Sequence, residues 1–184
     1  MVSAVEQRAQ AILRRLPEVA RMAEIGVLVG RLSEAVLRAR PGLNLTMVDS
    51  WAPMDRQPAA YIATGDEHAR HDTARVQRHR SEAERRVRPF RKRTTIFAMS
   101  SIEAATQVED ASLDLVFLDG DHSELGVLSD IEAWLPKVRA GGWIGGHDID
   151  NDDPRYDFSG VRRAVEARFG TFEVDQNFTW WVRL

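Results

Sequence analysis

The 184-residue chain has no cysteine, which excludes a disulfide framework and any thiolate metal site. It has no apolar run near the ~20 residues that a membrane-spanning helix needs. It also has little charge imbalance. Its 25 Lys and Arg against 28 Asp and Glu leave a net charge of -3, so nothing overall draws it to nucleic acid or an anionic membrane. Aromatic residues make up 8% of the chain and do not interleave with basic ones, as they do where bases of single-stranded nucleic acid stack. The opening segment, MVSAVEQRAQAILRRLPEVA, has the pattern of an amphipathic helix and lacks the apolar centre of a secretory signal. A cytoplasmic protein with one domain over residues 1–184 is the expectation, since a chain of this length with 43% apolar residues can bury most of its apolar surface.

What is present is a regular alternation. Short apolar blocks at 22–29, 43–49, 93–99, 113–119 and 142–148 read as buried strands. Between them, stretches such as 30–40 and 126–138 carry apolar residues at spacings of three and four and read as helices. Strands alternating with helices imply a parallel sheet with crossover helices. The tail differs, because TFEVD and TWWVRL are separated only by QNF, and three residues cannot make a parallel crossover. The predicted fold is therefore α/β, a doubly wound, Rossmann-like sheet, mostly parallel with an antiparallel hairpin strand at its C-terminal end. TWWVRL is a candidate homodimer interface, although Trp180 and Trp181 alternate faces on a strand and at least one should be core. Residues 52–93 form a basic insertion with eleven Lys or Arg against six Asp or Glu. Within it DTARVQRHRSEAERRVRPF reads as a solvated helix, and the segment is either charged surface or a flap whose arginines meet a polar or anionic substrate.

AEIGVLVGRLSEAVL puts Glu24, Gly26 and Gly30 where the first strand meets the following helix. In an open α/β sheet that junction lies at the carboxyl ends of the strands, where ligands bind. A dinucleotide fingerprint needs a second glycine for the pyrophosphate to approach the backbone, and that position is Leu28. Glu24 would repel a phosphate and favour a cation. S-adenosylmethionine has no phosphate and carries an ammonium and a sulfonium. Asp49, 23 residues beyond Gly26 at the end of the second strand, could accept hydrogen bonds from both hydroxyls of a ribose. Ser100 and Ser101, after the third strand, suit the edge of an adenine. Each of these has a structural alternative: the glycines could serve strand–helix packing, Asp49 could cap the next segment, and the serines could cap a helix.

Asp119 ends the fourth strand, and His147 and Asp148 end the fifth. Neighbouring strand ends would bring Asp119 and Asp148 together, where they could share a divalent cation, since clustered carboxylates are costly without a positive partner. His122, three residues past Asp119, would lie just outside such a shell, able to take a proton from a hydroxyl. The alternative is that DGDH and DNDD are solvated turns.

EIGVLVG, VDSW, FLDGDHS and PKVRAGGWIGGHD together resemble the class I S-adenosylmethionine-dependent methyltransferases, and within them the metal-dependent O-methyltransferases of the catechol, macrocin and antibiotic-sugar type. The resemblance runs from about residue 20 to the C-terminus. It implies Asp119, His147 and Asp148 as ligands of Mg²⁺ and His122 as base. It implies a cofactor site of Glu24, Gly26, Gly30, Asp49, Ser50, Trp51, Ser100, Ser101 and Asp119. His147 departs from the family pattern, which more often has a carboxylate or amide there. An imidazole suits Mn²⁺ or another transition metal better than Mg²⁺, and His147 could alternatively be the base or an outer group. The implied activity is methyl transfer to a hydroxyl of a small polyhydroxylated or sugar acceptor. Methylation of nucleic acid or protein, and cofactor binding without catalysis, are the alternatives, because a fold alone does not decide function.

Overall fold

A computed structural model describes residues 2–184. Helix α1 (Ala4–Leu13) opens with a reciprocal capping box in which Ser3 and Glu6 satisfy each other's backbone N–H groups. The order is then β1 (Val19–Ile25), α2 (Arg31–Ala39), β2 (Gly42–Val48), α3 (Ala59–Ala63), α4 (Thr73–Val87), β3 (Thr94–Phe97), α5 (Ser101–Ala105), β4 (Leu113–Leu118), α6 (Glu124–Trp134), β5 (Val138–Gly146), α7 (Ser159–Phe169), β6 (Glu173–Asp175) and β7 (Thr179–Arg183). The strands form one sheet in the order β3-β2-β1-β4-β5-β7-β6, in which β7 alone runs opposite to the other six. The doubly wound sheet with its C-terminal hairpin is thus what the alternation predicts. Among the described residues no helix is long and apolar enough to cross a membrane.

Because side chains alternate along a strand, the sheet sends apolar residues to both faces, and each face is roofed by helices. Met22, Met47, Phe117 and Trp181 join α1, α2 and α4 on one side. Ala23, Val116, Ile144 and Trp180 join α5, α6 and α7 on the other. The strand order reverses between β1 and β4, so a crevice opens there at the carboxyl ends. Register makes it level. Val48, Ile25, Leu118 and Gly146 lie abreast on β2, β1, β4 and β5, so the next residues, Asp49, Gly26, Asp119 and His147, leave the sheet side by side.

Two sequence expectations change. The first strand ends at Ile25 rather than 29, because Gly26 and Leu28 take φ of 86° and 52° and turn the chain out of the sheet. TWWVRL is not a surface strand: β7 lies between β5 and β6, and both Trp180 and Trp181 are fully buried, one in each core. In the 52–93 insertion the solvated helix expected over 72–90 is α4 (Thr73–Val87), preceded by the short helix α3 and several tight turns. The insertion's arginines are partly consumed internally, with Arg86 bonding Glu34 on α2 at 2.8 Å and Arg93 donating to the carbonyls of Leu37 and Arg40 at the end of that helix and of Leu43 in β2.

Candidate active site

The β1–α2 turn can pass the end of β4 only because Gly26 has no side chain. A Cβ there would meet the Asp119 carbonyl oxygen at 2.0 Å, and φ of +86° is unfavourable for any other residue. Gly26→Ala should therefore destabilise the fold by about 1–3 kcal/mol from backbone strain alone, with more from the clash, read as a lowered urea midpoint. An unchanged midpoint would mean that the turn is not held against β4.

Glu24, at the end of β1, is 1% exposed and accepts the Ser33 hydroxyl at 2.5 Å. Burial pushes its carboxyl up to about 8, against the pull of Ser33. Asp49 is engaged with the turn itself. Its Oδ2 accepts the N–H groups of Val27 (2.9 Å) and Leu28 (2.8 Å), and its Oδ1 accepts that of Trp51 (2.7 Å). Burial raises this carboxyl while the three N–H groups draw it back down. A carboxylate offers about four acceptor sites, so Asp49 keeps room for a ligand hydroxyl. Trp51 is a brace: it is buried, and its ring N–H donates to the Leu28 carbonyl at 2.8 Å. Ser50 is exposed and accepts the Ala52 N–H at 3.2 Å. Ser100 caps α5 in a capping box with Glu103, and the Ser101 hydroxyl accepts the Trp134 ring N–H at 2.8 Å. The capping alternative is thus realised for Ser100.

Beside the turn, Asp119, His122, His147 and Asp148 converge, each offering an atom within 4.8 Å of all the others. The His147 Nδ1 lies 2.9 Å from Asp148 Oδ2 and 3.3 Å from Asp119 Oδ1. The His122 Nε2 lies 3.1 Å from Asp148 Oδ2 and 3.6 Å from Asp119 Oδ1. His122 therefore stands inside the group, not just outside it, because the turn after β4 folds its ring back against Phe158, 4.6 Å away between ring centres. Asp148, at φ of 60°, is further held by the Asn151 amide at 2.6 Å.

Two members escaped the sequence reading. Arg8, on α1, donates to Asp119 Oδ2 at 2.8 Å, and Asp66, in the 52–93 insertion, lies 3.1 Å from the His122 Nδ1. Asp66 is 3% exposed and also accepts from the Tyr61 hydroxyl (3.1 Å) and the His68 N–H (2.9 Å). The insertion thus reaches the cluster through a carboxylate. Its only advance sign was an Asp followed two residues later by His in TGDEH, a common turn pattern.

Electrostatics in the cluster are strongly coupled. Burial alone would raise Asp119, but His147, Arg8 and His122 hold it well below the usual carboxylate range. Asp66 and Asp148 are likewise lowered against burial by the histidines they contact. Burial alone would lower His122 and His147, yet Asp119, Asp66 and Asp148 raise His122 well above its ordinary value, and Asp119 and Asp148 raise His147. The donor set of two carboxylates and two imidazoles fits a divalent cation, and the His122 Nε2, which faces both carboxylates, is buried without a hydrogen bond. Imidazoles favour a transition metal such as Mn²⁺ over Mg²⁺. Next to the cluster runs a groove of about 550 Å³, lined by Asn151, Asp152, Tyr156, Asp157 and Phe158 among others, in which the Tyr156 and Phe158 rings stack at 5.0 Å.

Comparison with known proteins adds the chemistry class. Residues 23–149 match the family described as "Methyltransferase domain". A comparison with curated proteins finds no match. Among solved structures, cofactor-bound Rv0187 from MTB superposes with a TM-score of 0.64 at 16% identity, over 98% of this chain and 80% of that one. A candidate caffeoyl-CoA O-methyltransferase from Staphylococcus aureus gives 0.63 at 12% identity, over 98% and 82%. The O-methyltransferase NovP gives 0.61 at 15% identity, over 98% and 77%. At such identities the likeness establishes the fold.

Proposed function

Since the chain belongs to the methyltransferase-domain family, we propose that it transfers the methyl group of S-adenosylmethionine to a hydroxyl of a small polyhydroxylated acceptor, with a divalent cation in the site. The observation that carries this reading is the convergence of Asp119, His122, His147 and Asp148 beside the Gly26 turn, where register brings the strand ends level. When bound, the cofactor supplies an activated methyl group and the cation supplies positive charge near the acceptor oxygen.

The chain's own residues do the rest. Glu24 and Asp119 face the cationic part of the cofactor, and Asp49 keeps an acceptor site for its ribose. Asp119, His147 and Asp148 hold the cation. His122 Nε2 takes the proton from the acceptor hydroxyl, and Asp66 at Nδ1 keeps that nitrogen turned inward. In-line displacement needs little more than positioning and charge neutralisation, because the sulfonium is already a good leaving group. The adjacent groove suits a sugar-like acceptor. Its carboxylates accept hydroxyl hydrogen bonds, and the Tyr156–Phe158 stack offers an apolar wall.

Calorimetric titration with S-adenosylhomocysteine tests the cofactor assignment. Asp49→Ala should weaken binding by about 1.5–3 kcal/mol, the scale of hydrogen bonds to a charged acceptor. Equal affinities, or binding of NADH in place of the nucleoside, would remove the assignment. Methylation of nucleic acid is separated by salt: it would weaken steeply between low and physiological ionic strength, whereas turnover of a neutral glycoside would not.

A further inference from the structure

Arg8 is the one Arg or Lys among the described residues that bonds to a carboxylate of the crevice, and its guanidinium is only partly used. The side chain is 18% exposed, its Nη1 is 2.8 Å from Asp119 Oδ2 and 3.3 Å from His147 Nδ1, and its Nε is buried with no hydrogen-bond partner. A guanidinium is a rigid fork with five donors, and two adjacent ones match a carboxylate side on. A buried cationic N–H left without an acceptor is costly, so the free edge calls for an anionic ligand group. Asp119 is divided between two duties: Oδ2 faces Arg8 while Oδ1 faces the histidines. Arg8 can therefore stay in place while Oδ1 serves a cation.

The ligand expected here has a matching end. The amino-acid part of S-adenosylmethionine carries an ammonium and, next to it, one carboxylate. Asp49 and Asp119 provide carboxylates around the turn, which suit the cationic groups and would repel the anionic one. Arg8 also acts on Glu24, opposing the rise that burial imposes, so its charge is felt on the glycine-turn side of Asp119. We propose that Arg8 binds the carboxylate of the cofactor's methionine part through the unused edge of its guanidinium, an inference that rests on the S-adenosylmethionine reading above. On this view α1 is part of the cofactor site, and the family match, which begins at residue 23, leaves this contact outside it.

The test compares two ligands by calorimetry: S-adenosylhomocysteine, which has the carboxylate, and 5′-methylthioadenosine, which lacks the whole amino-acid part. Arg8→Gln should weaken S-adenosylhomocysteine about 10- to 100-fold, as expected for loss of a charge-assisted pair, and leave methylthioadenosine within about twofold. Arg8→Lys, which keeps the charge and loses the fork, should recover part of the loss. Thermal melts of both variants verify folding, and the lysine variant carries the comparison if the glutamine one does not fold. Equal losses for both ligands would make Arg8 an anchor of α1 and overturn the proposal, as would no loss for either. A wild-type protein that binds neither ligand would instead overturn the cofactor reading itself.

Discussion

Asp148→Ala is expected to lower Mn²⁺ affinity by more than about 100-fold in calorimetric titration, and Asp119→Ala to do the same. Losing an outer partner of a metal ligand already costs 10- to 100-fold, and these residues supply both negative charges of the four-residue donor set. Chelation should abolish turnover for the same reason, and full activity in excess EDTA would leave a metal-free methyltransferase. The pH dependence has a definite sign. His122 and His147 have folded pKa values raised above the ordinary ~6.5, so their contribution to metal-free stability is complete below that value and is lost as pH rises through the raised values. The lowered carboxyls of Asp119, Asp148 and Asp66 contribute above about pH 4 and lose their contribution as pH falls through their folded values. Metal binding requires the imidazoles unprotonated, so Mn²⁺ affinity should rise with pH where the metal-free protein is losing stability. Melting temperatures measured from pH 6 to 9, with EDTA and with Mn²⁺, should diverge as pH increases. Parallel curves would show that no proton is exchanged for the cation.

His122→Ala should lower kcat by about 10²–10⁴, the range for loss of a general base, while S-adenosylhomocysteine binds as before. An alcohol is too weak an acid to ionise unaided near neutral pH, so a base and local positive charge must act together. Because His122 stands inside the donor cluster, the same variant must also be titrated with Mn²⁺. Lost turnover with Mn²⁺ affinity kept within about tenfold identifies a base, whereas loss of both identifies a ligand. His147 competes for the base role, since its Nδ1 is 2.9 Å from the same Asp148 oxygen. The true base is the histidine whose removal abolishes the acidic limb of the pH–rate profile, and a His122 variant that keeps that limb transfers the role to His147.

The strands, the crossover helices and the acids at their ends were legible because each is a local pattern: an apolar block, a 3.6-residue period, an Asp at a boundary. Arg8 and Asp66 were not, since they lie 111 and 56 residues from the partners they meet, Asp119 and His122. Nothing in EQRAQ or TGDEH distinguishes them from an ordinary helix face and an ordinary turn. Asp49 shows a different limit. Its position was readable, but two of its acceptor sites go to backbone N–H groups of a turn whose path depends on the contact between Gly26 and Asp119, and a third goes to the Trp51 N–H. Trp51 was grouped with the ligand-facing residues through its place in VDSW, whereas its left-handed backbone, φ 41°, sends the ring under the turn.

The place of β7 also sets an order of assembly. In a chain emerging from the ribosome, β1 to β5 can pair as they appear, but β5 then presents a bare row of N–H and C=O groups until the hairpin that follows it slots alongside. Until then both hydrophobic layers also lack their largest plugs, Trp180 on one face and Trp181 on the other. The first helix waits as well, since Arg14 and Arg15 find Glu173 and Asp175 only on the finished hairpin. A nascent chain halted before Thr179 would therefore expose an unpaired strand edge and two half-filled cores together, a combination that favours aggregation.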